Sequence, residues 1–277
     1  MWTACSAAKV FHQMGESWTV SSYASEAANF GMFIGSYENM REMALRIRKA
    51  AEDLQVKRII FGECGHAWRV AYSFLNTLAG PFDFLDQRYP IPQHICEYTH
   101  DLIEKGALTF DKSKNDHIRL TYHDSCNIAR GSRMGDRPGG QFEIPRAILR
   151  TVCNHFFDMA EDTIKEATLC CGGGGGLLTD ELMDIRKKGA SPRMRALAQV
   201  VEDHGVTHMA AICAICKTQF AKIMPEYGFE MDAIVSIHQL VGNAIILDGQ
   251  ISDDDDDDDE DTGAGANGDA AGTGEDE

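Results

Sequence analysis

Apolar residues along this chain follow two alternating periods. Short continuous runs at 58–62, 118–123 and 207–212 are too short for a buried helix and read as buried strands. Between such runs the apolar positions recur at helical spacing. Met194, Leu197, Val200 and Val201 share one face, Ser191 is predicted to cap this helix with Pro192 at its first position, and Gly205 to end it. A shorter helix is predicted over 7–14. Strands alternating with helices predict an α/β architecture with mostly parallel sheets.

The pattern repeats. Ala51-Glu52-Asp53-Leu54-Gln55-Val56 aligns with Val201-Glu202-Asp203-His204-Gly205-Val206, and each stretch ends a helix and leads into a strand. After the strand the first copy reads Glu63-Cys64-Gly65-His66 and the second Cys213-Ala214-Ile215-Cys216. Glu63 and His66 then occupy the two cysteine positions, with Cys64 beside them. Upstream, Asn29-Phe30-Gly31 matches Cys170-Cys171-Gly172. The expected organisation is a degenerate first copy over 1–112, a second copy over 113–251, and a tail over 252–277. No strand precedes the first helix, whereas 118–123 opens the second copy, so the first copy is expected to be incomplete.

Charge changes the picture only at the end of the chain. The formal net charge is −17, yet 13 of the acidic residues lie from Asp253 onward; without them 30 acidic residues face 26 basic ones. The tail, with seven consecutive aspartates, is expected to be disordered. The remainder shows no basic excess of the kind a nucleic-acid binder carries. No apolar run reaches the length of a membrane span, and no secretion leader is visible.

Nine cysteines, several of them clustered at ligand-like spacing, point to metal or redox chemistry rather than a disulfide framework. Cys126 follows one strand, Cys170 and Cys171 precede the glycines 172–176, and Cys213 and Cys216 follow another strand. Ligands of open α/β sheets gather beyond the carboxyl ends of strands, so one site collects all five thiols. A structural zinc needs four ligands and leaves one sulfur over. A thioredoxin-type dithiol uses Cys213 and Cys216 alone. An iron–sulfur site uses all five. Gly172, Gly173 and Gly174 let the backbone approach such a site and aim N–H groups at it. The glycine run lacks the context of a nucleotide loop. Lys217 is placed close by. Cys5, Cys96 and Cys153, and Trp2, Trp18 and Trp68, read as structural.

Cys126, then 43 residues, Cys170-Cys171-Gly172, then 40 residues and Cys213-x-x-Cys216 resembles the cysteine-rich CCG domain of heterodisulfide reductase catalytic subunits. Within that family the likeness, including Asn29-Phe30-Gly31, Glu63-Cys64-Gly65-His66 and His123-Asp124-Ser125-Cys126, is to the K subunit of the membrane complex associated with dissimilatory sulfite reductase. The resemblance implies one noncubane [4Fe–4S] cluster on Cys126, Cys170, Cys171, Cys213 and Cys216, with His66, Cys64 and His123 beside the reacting sulfur. It implies reduction, or the reverse, of a sulfur–sulfur bond on a small sulfur-carrier protein in dissimilatory sulfur metabolism. It also implies other subunits of a membrane-bound electron-transfer complex as partners, and a cytoplasmic, peripheral location. Two alternatives stand beside it: an iron–sulfur subunit of a lactate, glycolate or glycerol-3-phosphate dehydrogenase, and a structural zinc or interaction module.

Overall fold

In a computed structural model the described residues are 2–24, 28–175 and 178–248. The acidic tail, Gly176, the side chain of Trp2 and those of Asn29 and Phe30 lie outside them. The elements run α1 (Trp2–Gln13), α2 (Ala28–Phe33), α3 (Tyr37–Asp53), β1 (Ile60–Phe61), α4 (Gly65–Ala79), β2 (Gln93–His94), α5 (Ile95–Glu104) and β3 (Thr109–Phe110). They continue with β4 (Leu120–His123), α6 (Cys126–Ala129), α7 (Gly140–Val152), α8 (Met183–His204), β5 (His208–Ala211), α9 (Ala214–Ile223), β6 (Ile234–Val235), α10 (Ile237–Ala244) and β7 (Ile245–Ile246).

This is the mixed α/β architecture with mostly parallel sheets that the sequence predicts. β4, β5 and β6 form one parallel sheet with β5 in the middle, and β1 and β2 a second parallel pair. β3 and β7 pair antiparallel, joining the ends of the two copies. All the residues of β4 are buried, as a strand covered on both faces requires. Packing through Leu247 gives one compact unit. Its larger core draws Trp68, Leu75, Leu78 and Ile95 from the first copy and Leu120, Ile148, Leu149 and Leu240 from the second. The polar stretch at 111–115 is a short 3-10 turn capped by the Asp111 side chain. Its Asn115 is buried, donating to the carbonyls of Val152 at 2.9 Å and Leu240 at 3.0 Å.

The repeat is visible atom by atom. A Cβ on Gly31 would meet Met40 N at 2.6 Å and Ser36 O at 3.0 Å; on Gly172 it would meet Ala190 N at 2.9 Å and Arg186 O. Those partners stand 150 residues apart, as the alignment of the two copies requires. Two expectations are corrected. The helix expected to begin at Ser191 begins at Met183, and Pro192 lies inside it. Pro192 has no amide to bond the Lys188 carbonyl, and Lys188 is an exposed residue. Trp18, expected in the core, is 48% exposed and rests against Phe11 at 5.5 Å. Gly205 ends α8 as predicted, with φ of 63° in the left-handed region.

Candidate metal centre

Three chain segments deliver the thiols. β4 ends at His123, and Cys126 opens α6. β5 ends at Ala211; Cys213 occupies the N-cap position of α9, and Cys216 lies in its first turn. A helix N-terminus stabilises thiolate there. Between these segments runs the loop carrying Cys170 and Cys171.

That loop is held by polar contacts the sequence did not reveal. The Asp124 carboxylate accepts from Lys165 N at 3.0 Å, and Thr168 Oγ1 donates to the Asp124 carbonyl at 2.7 Å. Arg130 donates to the Thr168 carbonyl at 2.7 Å and the Glu166 carbonyl at 3.0 Å. Asp124 is itself paired with Arg146 through two bonds of 2.8 Å, both side chains being almost wholly buried. The segment just before Cys126 thus grips the turn that leads to Cys170.

The loop then turns at Gly172, whose φ is +82°. Its N–H donates to Cys170 Sγ at 3.2 Å, and Gly173 N–H to Cys171 Sγ at 3.4 Å. A Cβ at Gly172 would strike the backbone of α8, at Arg186 O and Ala190 N. Gly172→Ala is therefore expected to cost more than about 1 kcal/mol, read as a lowered denaturation midpoint at unchanged slope.

The five predicted cysteines come together. Cys126 touches Cys170, Cys170 touches Cys171, Cys171 touches Cys216, and Cys216 touches Cys213. Cys64 extends the series by touching Cys213. Crowded thiols divide their protons unequally. Contact with Cys126 and Cys171 pulls Cys170 down, and contact with Cys216 and Cys64 pulls Cys213 down. Contact with Cys170 pushes Cys126 and Cys171 up, and contact with Cys171 pushes Cys216 up.

The histidines expected beside the site are there. His66 Nδ1 lies 3.3 Å from Cys213 Sγ, and a ring nitrogen of His66 lies within 4.8 Å of the Cys64 and Cys213 sulfurs. His123 has the same relation to Cys171 and Cys216. Burial, and then the nearby Arg193, lower the pKa of His123 to about 3, so its ring is neutral. Neither of its ring nitrogens has a hydrogen-bond partner among the described residues, an arrangement that costs free energy unless a group in the site takes it up. The α9 N-cap register sets Cys64, rather than Glu63, opposite Cys213, because the first copy has one more residue between strand and helix.

Positive charge surrounds the sulfurs. Among the described residues the three largest fully buried side chains are Arg146, Arg186 and Arg193. Arg193 donates to Thr168 Oγ1 at 2.9 Å and to the Thr163 carbonyl, and Arg186 to Gln219 Oε1 at 2.8 Å. Burial lowers the pKa of Arg193 to about 10, with Asp124, Cys216 and Cys171 opposing it. A buried guanidinium held by neutral acceptors suits a pocket that carries negative charge. Lys217 Nζ bonds Glu63 Oε2 at 3.0 Å. On the solvent side, a cavity of about 380 Å³ is lined by Cys126, Gly174, Gly175, Phe33, Arg69 and Arg130. Cys96 and Cys153 stay in the core, and Cys5 is exposed. Arg146 and Arg193 were missed because single polar residues on apolar helix faces give no signal until their partners are known.

Five sulfurs in contact, backbone N–H groups on two of them, an orphaned imidazole and buried cations fit an iron–sulfur cluster better than a four-ligand zinc. Comparison with known proteins agrees. The family model of the cysteine-rich domain CCG matches residues 120–221. The Hdr-like menaquinol oxidoreductase iron-sulfur subunit of Archaeoglobus profundus is 41% identical over 261 residues, covering 83% of this chain and 44% of that protein. Subunit 2 of the same name from Archaeoglobus fulgidus is 40% identical over 255 residues, with the same shares. A dihydromethanophenazine:CoB–CoM heterodisulfide reductase subunit from Methanosarcina mazei is 26% identical over 212 residues, covering 75% of this chain and 46% of that protein. The chain thus spans less than half the length of these relatives.

Proposed function

This chain belongs, through residues 120–221, to the CCG cysteine-rich domain family, and from that premise we propose that it is an iron–sulfur electron-transfer module of heterodisulfide reductase type. Cys126, Cys170, Cys171, Cys213 and Cys216 hold one [4Fe–4S] cluster of noncubane form. The observation that carries this reading is the unbroken series of sulfur contacts among these five residues. When bound, the cluster supplies one-electron transfer at a site where a sulfur–sulfur bond needs two electrons and two protons to become two thiols.

The chain's own groups do the rest. His66, facing Cys213 and Cys64, holds a proton for the leaving thiolate, while His123 stays neutral beside Cys171 and Cys216. Cys64 stands at the edge of the sulfur series. Lys217, held by Glu63, and the buried arginines offset the thiolate charge. Gly172, Gly173 and Gly174 leave room for close approach, and Gly172 and Gly173 aim N–H groups inward. The cavity beside Cys126 admits the substrate, a disulfide or trisulfide on a small sulfur-carrier protein.

Two relatives are named menaquinol oxidoreductase subunits, which supports partner subunits that exchange electrons with a quinol. No helix among the described residues is long and apolar enough to cross a membrane. Under this reading those partners provide the membrane contact. The test is anaerobic reconstitution of the chain with iron and sulfide. About four iron ions per chain are expected, with a paramagnetic resonance signal that changes when a disulfide is added. A signal indifferent to the disulfide selects a plain electron-transfer subunit of a dehydrogenase. Zinc without iron overturns the reading.

A further inference from the structure

His123 ends β4 and is at 0% exposure. One of its ring nitrogens lies within 4.8 Å of the Cys171 and Cys216 sulfurs, and those two residues are buried as well. Phe220 stands edge-on to the ring, with the centroids 4.9 Å apart. A neutral imidazole carries one N–H donor and one lone pair. Both ring nitrogens are buried, and neither meets a hydrogen-bond partner among the described residues. Without partners among these residues the ring has no proton route to solvent.

Two more buried donors stand near the same sulfurs. Gln219 lies one helical turn beyond Cys216 in α9. A Cβ on Gly173 would lie 3.3 Å from the Cys171 sulfur and 3.7 Å from the Cβ of Gln219, so the two side chains flank one point. Gln219 Oε1 is taken by Arg186, while its Nε2 has no acceptor among the described residues. Arg193 spends its two terminal nitrogens on Met159, Thr163 and Thr168, and its Nε is likewise buried without an acceptor. It lies close enough to Cys216 and Cys171 to feel their charge. A buried donor left unmet keeps its desolvation cost with nothing to offset it, so such groups are rare. Three of them beside one pair of sulfurs call for an acceptor that belongs at this place.

On the iron–sulfur reading of the site, we propose that His123 donates its N–H to a sulfur of the cluster on the Cys171–Cys216 side, with Gln219 Nε2 and Arg193 Nε as companion donors, and so favours the reduced state. The acceptors that a cluster brings are thiolate and sulfide, which take hydrogen bonds and give none. Such bonds stabilise the more negative, reduced form and raise its potential. The ring's lone pair is not required as a ligand, because five thiolates already exceed one for each iron of a [4Fe–4S] cluster. Burial separates the two sides of the site. Cys171, Cys213 and Cys216 are buried, whereas Cys170 is exposed and Cys126 faces the cavity. The donors therefore lie away from the cavity, where they act on the electron without blocking the way in. His123 is a positioning residue that works through the cluster, while His66 holds the proton.

The test uses the full chain, made with histidine carrying heavy nitrogen and reconstituted with iron and sulfide. Pulsed paramagnetic resonance is expected to show a weak nitrogen coupling, of the size a hydrogen bond transmits, that disappears in His123→Met and in His123→Gln. His123→Met is expected to keep its iron while redox titration moves the one-electron equilibrium at least about threefold toward the oxidised form. His123→Gln, which supplies an amide N–H in place of the ring's, is expected to recover at least half of that shift. If His123→Met does not hold iron, the coupling lost in His123→Gln decides alone. Iron content separates this role from the reading beneath it. A native chain that takes up no iron overturns the iron–sulfur reading and this role with it. Iron uptake with no coupling lost in the variants, or with an unchanged potential in His123→Met, overturns the role of His123 alone. A coupling as strong as that of an imidazole bound directly to iron makes His123 a ligand and overturns its assignment as a donor.

Discussion

Arg146→Met is expected to lower the stability of the chain by about 3–5 kcal/mol, the range for removing one partner of a buried ion pair. Arg146 is 1% exposed and makes two bonds of 2.8 Å to Asp124, with a further bond of 2.9 Å to Asp158 and one of 3.0 Å to the Phe142 carbonyl. Methionine fills similar volume but leaves Asp124, 2% exposed, without its cation. That carboxylate also holds Lys165 N at 3.0 Å, at the start of the turn leading to Cys170. The damage therefore reaches the sulfurs: Cys126 and Cys170 lose their fixed separation, and iron retention falls with stability. Chemical denaturation and iron content measure the two effects. Adding Asp124→Asn to Arg146→Met should recover part of the stability, because the buried charge is gone, without restoring the turn. If the single variant matches the native chain in both measurements, the pair is not what holds this corner.

Much of this corner was legible in the sequence. Each cysteine group follows an apolar run or precedes a glycine turn, and the ends of parallel strands converge whatever the side chains between them. The glycine correspondence was legible for the same physical reason: at Gly31 and Gly172 a helix backbone leaves no space for a Cβ. The supporting charges were not legible. Arg146 sits among Phe142, Ile144, Ile148 and Leu149, and a single arginine on such a face reads as a side chain reaching for water. Its acidic partner lies 22 residues away, and only the packing of α7 under β4 brings them together. The start of α8 was misplaced because Ser-Pro is a local signal. The anchors of its first turns, Arg186 on Gln219 and on the Thr179 carbonyl, are tertiary or lie outside the helix. Local chemistry thus marked the five cysteines, and long-range pairing, which sequence spacing does not encode, built their support.

Glu63→Gln tests that long-range pairing directly. Glu63 comes from the first copy, and its carboxylate takes Lys217 Nζ at 3.0 Å, His238 N–H at 2.6 Å and His238 Nδ1 at 2.7 Å, all from the second. His238 Nε2 returns to the first copy at Thr99 Oγ1, 2.8 Å away. Burial opposes the charge on Glu63, but Lys217 and His238 outweigh it and hold the carboxyl well below its ordinary value of 4.5. A carboxylate with a depressed folded-state pKa stabilises the fold fully above the unfolded value and loses that contribution as pH falls through the folded one. The native chain should therefore exceed Glu63→Gln by about 3 kcal/mol at neutral pH, the low end of the buried-pair range because Lys217 keeps 19% exposure. Paired denaturation curves should show the gap narrowing as pH drops below 4.5, and a gap that widened in acid would reverse the sign of the argument. Under the proposed function Glu63→Gln keeps its iron, since Glu63 holds no ligand sulfur. What moves is the first copy against the second, and with it His66 and Cys64 against Cys213. Loss of disulfide-dependent signal change at full iron content would therefore place the role of Glu63 in positioning these two side chains over the sulfurs.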